Sequence, residues 1–193
     1  ITQASFTPKG FVLSARGRGS HLVVVTIRNC DRDDARALAL VGKATFLETY
    51  AGTLGVADVL DHCDVEHGAP RYAAWLKTSG YRLWIAQVEG GAPVGYAVLG
   101  PVDLPLETSV RDVELKRIYL LHRFHGEGVG RRLMQAALEA AAEGGASRLL
   151  LGVFDGNHRA LAFYARHGFV GAGRRPFQVG SQTYDDLVLG RPL

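Results

Sequence analysis

A strand, a glycine-rich turn and an alanine-rich helix follow one another in the middle of the chain, and this unit constrains the fold most. Residues 113–121 have the apolar pattern of a strand, and residues 129–142 have the periodicity of a helix. Gly126, Gly128 and Gly130 lie between them. Glycines let consecutive backbone N–H groups turn toward one anion, and the helix dipole adds positive charge. The segment predicts a phosphate-binding loop, although a purely structural turn would also use glycines.

The spacing of these glycines argues against two other nucleotide-binding loops. The chain contains no Gly-x-x-x-x-Gly-Lys-Ser/Thr string, and its Gly-x-Gly-x-Gly order does not match Gly-x-Gly-x-x-Gly. Loops of the ATP-binding and dinucleotide-binding types are therefore disfavoured.

The composition indicates one globular domain with a sizeable core, since 47% of the 193 residues are hydrophobic and 21% are charged. The net charge is +3, but Lys and Arg are scattered between acids, so nucleic-acid binding is not indicated. No run approaches the ~18 consecutive apolar residues of a membrane span. Cys30 and Cys63 have neither disulfide nor metal-ligand spacing, and we expect a cytoplasmic protein without a metal.

The first residues are expected to lie outside this domain. Gly19-Ser20-His21 is typical of a cloning remnant, so we interpret residues 1–22 as an N-terminal extension, either native or introduced by cloning. A transit peptide is the alternative, because the first thirty residues carry basic side chains and no acid. The folded domain is predicted to span residues 23–193.

Strand-like and helix-like patterns alternate along that domain. Strands are predicted at residues 23–28, 82–88, 93–99, 113–121, 148–154, 170–177 and 184–189, and helices at residues 35–50, 56–62, 71–77, 129–142 and 157–166. The acid-rich segment 31–34 is suited to cap the first helix. The predicted fold class is α+β.

Two motifs, in this order, resemble those of one enzyme family. His125-x-x-Gly128-x-Gly130 resembles the Arg/Gln-x-x-Gly-x-Gly/Ala pyrophosphate loop of the GNAT superfamily of N-acetyltransferases, with His in place of Arg or Gln. Downstream, Asn157 and Tyr164 stand in a string that resembles the later motif of that family, where Asn meets the pantetheine arm and Tyr faces the thioester sulfur.

The resemblance is closest to the bacterial PaiA-type spermidine/spermine acetyltransferases, on the strings at residues 46–50, 114–120 and 151–154 and on residues 177–180 with Asp185. It implies the GNAT fold, a mixed and mostly antiparallel central sheet of about seven strands flanked by about four helices. It also implies an activity, which is transfer of the acetyl group of acetyl-CoA to a primary amine by direct attack in a ternary complex. A polyamine is one candidate acceptor.

The resemblance implies that acetyl-CoA lies along the strand at residues 113–121 and the glycine loop. A bulge near residues 118–120, as in the family, would turn a backbone N–H toward the thioester oxygen. The implied cofactor-binding residues are Ile118, Tyr119, Leu120, His125, Gly126, Glu127, Gly128, Val129, Gly130, Arg131 and Asn157.

Glu114 and Tyr164 are the candidate catalytic residues. A lysine-like amine has a pKa of ~10.4, so its attack at neutral pH requires a base, and Glu114 stands where several GNAT enzymes carry theirs. Tyr164, a phenol, would protonate the leaving thiolate. Strand alternation predicts that Glu114 shares a face with Lys116, Ile118 and Leu120. The alternatives are a surface glutamate and a tyrosine that only packs in a helix.

The acceptor pocket is predicted beside the first helix, with Glu48 and Tyr50 as candidate substrate-binding residues. Each also has a solvated or structural interpretation. Two other functions stay open, namely a protein or peptide N-acetyltransferase and a non-catalytic module that senses CoA. Strands near the C-terminus leave the pairing of two subunits into a homodimer open.

Overall fold

The computed structural model of the chain describes residues 13–16, 22–179 and 182–193. Its strands are β1 (Leu13–Arg16), β2 (Leu22–Asn29), β3 (Arg82–Val88), β4 (Pro93–Gly100), β5 (Asp112–Leu120), β6 (Arg148–Phe154), β7 (Val170–Val179) and β8 (Gln182–Pro192). Its α-helices are α1 (Ala35–Tyr50), α2 (Val56–Glu66), α3 (Ala69–Lys77), α4 (Val129–Glu143) and α5 (His158–Arg166).

All the described strands belong to one sheet, in the order β1-β2-β3-β4-β5-β6-β8-β7. Only β5 and β6 run parallel, and the other neighbours are antiparallel. The predicted α+β class, with a mixed and mostly antiparallel central sheet, is confirmed. The additional strand is β1, which pairs with β2 at the sheet edge and falls within residues 1–22. The rest of the predicted extension, apart from Leu22, lies outside the described residues.

The sheet is covered on both faces. Leu133 and Met134 of α4 are fully buried in the main apolar core, which lies on one face. On the opposite face, α1 and α3 contribute Leu38 and Tyr72 to a second core that also contains Tyr96 of the sheet. The long buried stretches of β3 and β4 follow from this double cover, because a strand packed on both faces keeps no polar side.

The ends of the helices follow the local sequence. Asp31 caps the turn before α1 as predicted, since its carboxylate accepts the Asp33 N–H and the Asp34 carboxylate accepts the Asp31 N–H. α2 continues past its predicted end because Val59 and Cys63, one turn apart, both bury on the same face. Within the described ranges, no helix combines the length and the apolar character needed to cross a membrane.

The sheet divides between β5 and β6. The two strands pair only from Asp112 to Glu114, opposite Arg148 to Leu150, although both continue beyond this point. An ion pair fixes the joined end, since Arg148 Nη2 donates to Asp112 Oδ2 at 2.6 Å. Past Glu114 the facing edges have no strand partner, so an opening lined by backbone polar groups separates them.

A β-bulge in β5 lies directly after this branching point. Val98 of β4 pairs with Arg117, whereas Leu99 pairs with Leu115, so Lys116 is the additional residue in β5. The bulge implied by the family was expected near residues 118–120, where the pairing with β4 is regular instead.

The bulge changes which side chains of β5 share a face. Leu115, Ile118 and Leu120 all contact the main core, whereas Tyr119 packs against the second core. Glu114, next to Leu115, therefore lies on the face opposite Ile118. The prediction that Glu114 shares a face with Ile118 and Leu120 was wrong, because simple alternation ignores the extra residue.

Candidate active site

A cleft of about 1470 Å³ begins at the opening between β5 and β6. Its walls come from the second half of β5, the loop before α4, the end of β6 with α5, and the end of the sheet at β7 and β8. Residues of α1, α2 and α3 close the remaining side. One end of the cleft is thus formed by loop backbone and the other by buried side chains.

The loop before α4 presents a row of unpaired backbone N–H groups. No described residue accepts a hydrogen bond from the N–H groups of residues 126–131, and Arg132 is the first to donate, to the Gly128 carbonyl at 3.1 Å. Gly128 has φ 78°, a left-handed conformation that favours glycine and turns the chain into α4. Unpaired N–H groups at a helix start attract anions. The loop therefore fits the pyrophosphate of a CoA molecule.

The side chains of this loop contribute less than its backbone. His125 Nε2 donates to the Leu120 carbonyl at 2.7 Å, and burial lowers the pKa of His125, so its neutral ring braces the loop. Glu127 Oε2 is buried and has no hydrogen-bond partner among the described residues. A carboxylate at this place repels a bound phosphate. Positive charge comes from the flanking helices, through Arg131, Arg159 and Arg166.

The start and the middle of α5 bring Asn157 and Tyr164 to the cleft. Asn157 is the N-cap, and its Oδ1 accepts a backbone N–H of α5 at 3.1 Å. Tyr164 is buried, and its ring lies 5.5 Å from that of Phe163 and 5.7 Å from that of Phe169. Burial, followed by an electrostatic interaction with Tyr119, raises the pKa of Tyr164. The phenol therefore keeps its proton at neutral pH.

Glu114 lies in the cleft at the point where β5 and β6 part. Its side chain is 6% exposed, and its Oε2 accepts the Asp103 N–H at 2.8 Å and the Lys116 ammonium at 2.6 Å. The bulge brings Lys116 beside it. Because both of these hydrogen bonds use Oε2, Oε1 is the oxygen that an incoming amine would meet.

A buried polar cluster forms the wall on the α1 side. Arg117 Nη1 donates to the Glu66 carbonyl at 2.6 Å and to the Tyr72 hydroxyl at 3.1 Å, and Nη2 donates to Glu66 Oε2 at 2.9 Å. The guanidinium also lies 4.7 Å from the Trp75 ring centroid. His67 Nδ1 is 2.9 Å from the Tyr72 hydroxyl. Burial, followed by Arg117, lowers the pKa of His67 to about 2, so its ring is neutral.

Two tyrosines from different elements meet in the cleft. An electrostatic interaction with Tyr119 raises the pKa of Tyr50 most, followed by burial and by a further side-chain interaction with Tyr119. Burial also raises the pKa of Tyr119. Asp186 and Tyr164 raise the pKa of Tyr50 by smaller amounts. Tyr50, Tyr119, Tyr164 and Asp186 therefore share one region of low dielectric constant.

Asp186 is a cleft residue that was not predicted from the sequence. It lies opposite Phe154 and Arg175 in the sheet and is 4% exposed. Arg175 Nη2 and Nε donate to its Oδ2 at 3.1 Å and 3.3 Å. Burial raises the pKa of Asp186, and Arg175 opposes this. The neighbouring Asp185 is exposed, and only the register of β8 distinguishes the two acids.

The structure brings most of the predicted residues into this one cleft: Tyr50, Glu114, Ile118, Tyr119, Leu120, His125, Gly126, Glu127, Gly128, Gly130, Arg131, Asn157 and Tyr164. Two lie elsewhere. Val129 is buried in the main core, so only its backbone N–H is available. Glu48 is exposed, and its Oε2 accepts the His122 N–H at 2.9 Å. No group of three or more metal-ligating side chains occurs in the described part of the chain.

Known proteins share this sequence and this fold. The acetyltransferase (GNAT) family matches residues 52–169. An uncharacterized N-acetyltransferase of Mycobacterium bovis is 36% identical over 160 residues, which are 83% of this chain and 98% of the relative. These matches confirm the predicted family resemblance.

Two solved structures extend the comparison. The PaiA N-acetyltransferase of Thermoplasma acidophilum in complex with coenzyme A superposes with a TM-score of 0.72 at 18% identity, covering 88% of this chain and 99% of that one. A ribosomal-protein-alanine N-acetyltransferase of Brucella melitensis superposes with a TM-score of 0.61 at 26% identity, covering 86% and 99%. The PaiA structure confirms the predicted fold.

Proposed function

Because the chain belongs to the GNAT family of acetyl-CoA-dependent N-acetyltransferases, we propose that it acetylates a primary amine by direct attack in a ternary complex. The observation that carries this proposal is the single cleft, with an anion-binding loop at one end and buried titratable side chains at the other. Direct attack is supported because neither Cys30 nor Cys63 lines the cleft, so neither offers a thiol for an acyl-enzyme.

Acetyl-CoA supplies an activated acetyl group as a thioester. In this proposal the N–H groups of residues 126–131 bind its pyrophosphate. The edge of β5 at Ile118, Tyr119 and Leu120 has no strand partner on the β6 side, which leaves backbone groups to bind the pantetheine amides. Asn157 stands beside this path at the start of α5.

Side chains at the buried end of the cleft would provide the acid and the base for catalysis. A cleft carboxylate takes the proton of the acceptor ammonium, and Glu114 is the candidate predicted from the sequence. Its ion pair with Lys116 must open, or Oε1 must be used. Tyr164 is proposed as the acid that protonates the leaving thiolate, because its buried phenol keeps a proton to donate.

The charges on the α1 side bear on the choice of acceptor. Glu66 pairs with both Arg117 and Arg71, and Glu114 pairs with Lys116. A polyamine carries several cations and is best held by an excess of acids, which this paired wall does not supply. Among primary amines, a polyamine is thus a candidate, and an acceptor with one ammonium group is favoured. A protein N-terminus is the alternative, by analogy with the name of the Brucella enzyme.

A panel of acceptors tests this proposal. Thiol release from acetyl-CoA and the mass of the acetylated product would be measured with spermidine, spermine, aminoglycosides, amino acids and short peptides. Turnover with one class is expected, and Glu114→Gln is assayed in parallel. If acetyl-CoA binds tightly and no amine is acetylated, the proposal fails in favour of a module that senses CoA.

A further inference from the structure

We propose that Asp186 binds the ammonium group of the acceptor in the cleft and receives its proton, an assignment that rests on the proposed transferase function. Asp186 lies in the middle of β8, outside both family motifs, and its side chain is almost fully removed from solvent. A charge in such a medium attracts a cation far more strongly than a surface carboxylate does.

The two oxygens of this carboxylate have different surroundings. Both contacts from Arg175 reach Oδ2, at 3.1 Å and 3.3 Å. Among the described residues Oδ1 accepts no hydrogen bond, and Asp186 is one of the residues that line the cleft. A buried carboxylate oxygen is normally paired, so Oδ1 is suited to an ammonium that arrives with the substrate. Arg175 meanwhile holds the carboxylate in place.

The surroundings of Asp186 favour it over Glu114 as the first proton acceptor. The charge of Asp186 raises the pKa values of Tyr50 and Tyr119, and Glu114 is not among the main causes for either tyrosine. Tyr164, the proposed acid, also raises the pKa of Tyr50. Asp186 and the acid therefore belong to the same buried end of the cleft, whereas Glu114 lies at the branching point of the sheet.

The proton balance of the transfer is complete with these groups. The ammonium gives one proton to Asp186 Oδ1, and its freed lone pair forms the C–N bond to the acetyl carbon. The C–S bond breaks, its electron pair stays on sulfur, and the thiolate takes the proton of Tyr164. The nitrogen, now cationic, returns a proton to the tyrosinate, and Asp186 releases its own to solvent. The net products are the amide, the CoA thiol and one proton.

Burial and nearby charged groups determine the pH response of Asp186. Burial raises the pKa of Asp186 most, Arg175 of β7 opposes this, and Asp155 after β6 and the exposed Asp185 of β8 add smaller increases. Tyr50 and Tyr119 approach from α1 and β5 without charge at neutral pH. The carboxylate must be ionised to accept a proton, so the acid limb of kcat/KM belongs to it.

The test compares Asp186→Asn with Asp185→Asn, which makes the same change at the exposed neighbour. With an amine that the native chain acetylates, Asp186→Asn should lower kcat/KM at pH 7 by about 10²–10³-fold, and Asp185→Asn should leave it near the native value. The deficit should shrink at least about tenfold near pH 9.5, because free amine then needs no base. Acetyl-CoA affinity, measured by calorimetry, should be unchanged and shows that the variant is folded.

A second variant distinguishes a catalytic role of Asp186 from a purely structural one. Arg175→Gln removes the cation that favours ionisation of Asp186, so the acid limb of kcat/KM should move to higher pH while Asp186 stays in place. Native-like turnover by Asp186→Asn, or an unmoved acid limb in Arg175→Gln, overturns the assignment and leaves the proposed function standing. Absence of amine acetylation by the native chain overturns the proposed function itself.

Discussion

His67 should make the protein less stable in mild acid, because the folded state holds its ring neutral. The ring is 1% exposed, and its Nδ1 lies 2.9 Å from the Tyr72 hydroxyl and 3.5 Å from Arg117 Nη1. A guanidinium only donates hydrogen bonds, so Nδ1 next to it is an acceptor. Protonation of that nitrogen would bury a charge and set it against Arg117, which is why the pKa of His67 falls to about 2.

The pKa of histidine in the unfolded chain determines how much stability is lost in acid. A free histidine has a pKa of ~6.5, so the unfolded state gains a proton below that pH, whereas the folded state stays neutral until about pH 2. The stabilisation is complete when the pH is above the pKa of His67 in the unfolded chain, and it is lost as the pH falls toward the pKa of His67 in the folded protein. Between pH 7.5 and pH 5.0 the loss is about 2 kcal/mol, at ~1.4 kcal/mol per pH unit below 6.5. Any folded pKa below about 4 gives the same result.

Urea unfolding at pH 7.5 and pH 5.0 measures this loss for the native chain and for His67→Asn, whose amide is able to meet Tyr72 but does not titrate. The native free energy of unfolding should fall by about 2 kcal/mol more than that of the variant, a difference of roughly 1 M urea in the midpoint shift. Replacing the exposed His158 by Asn should leave the native pH dependence intact. An equal loss in the native chain and in His67→Asn would refute the reasoning.

Three other predictions give separate tests, two of them with a control variant. Tyr164→Phe should lower turnover about 10²-fold or more while calorimetry finds acetyl-CoA affinity nearly unchanged, because only the proton donor is lost. Glu127→Gln should tighten acetyl-CoA binding several-fold, an effect that shrinks in high salt, whereas the exposed Glu139→Gln should not. Gly128→Ala should lower Tm by about 2–8 °C, since its φ of 78° strains an alanine by ~1–2 kcal/mol. Gly130→Ala, inside α4, should not lower Tm, because the added methyl group would lie 3.7 Å from the Phe163 ring, an ordinary contact distance.

Local sequence patterns predicted most of the fold because they report directly on burial. The helical spacing in α4 and the apolar runs of β3 and β4 correspond to buried faces in the structure. The bulge at Lys116 has no such signal. It depends on how β5 pairs with β4, and Lys116 itself has negative φ and no unusual chemistry. A local irregularity of pairing is therefore lost to any method that reads one strand at a time.

The two ends of the cleft differ in the same way. The anion-binding loop is contiguous, so the glycines that turn its N–H groups outward are visible in the sequence. The opposite end is assembled from distant segments. Arg117 bonds to Glu66, 51 residues away, and nothing beside either residue predicts the contact. Asp186 enters the cleft only because β8 pairs with β6 in one register.

One irregular step in the sheet links the two ends. The ion pair of Asp112 and Arg148 holds β5 and β6 together, and the strands separate just before the bulge at Lys116. After the bulge, Ile118 faces the layer of α4, where the anion-binding loop begins, and Tyr119 faces the layer of α1. In the proposed mechanism, β5 therefore presents its free backbone edge to acetyl-CoA and its side chains to the acceptor. The separation of β5 and β6 exposes backbone groups that a continuous sheet would pair. The opening therefore favours an extended ligand whose amides can form hydrogen bonds with these backbone groups, as a neighbouring strand would.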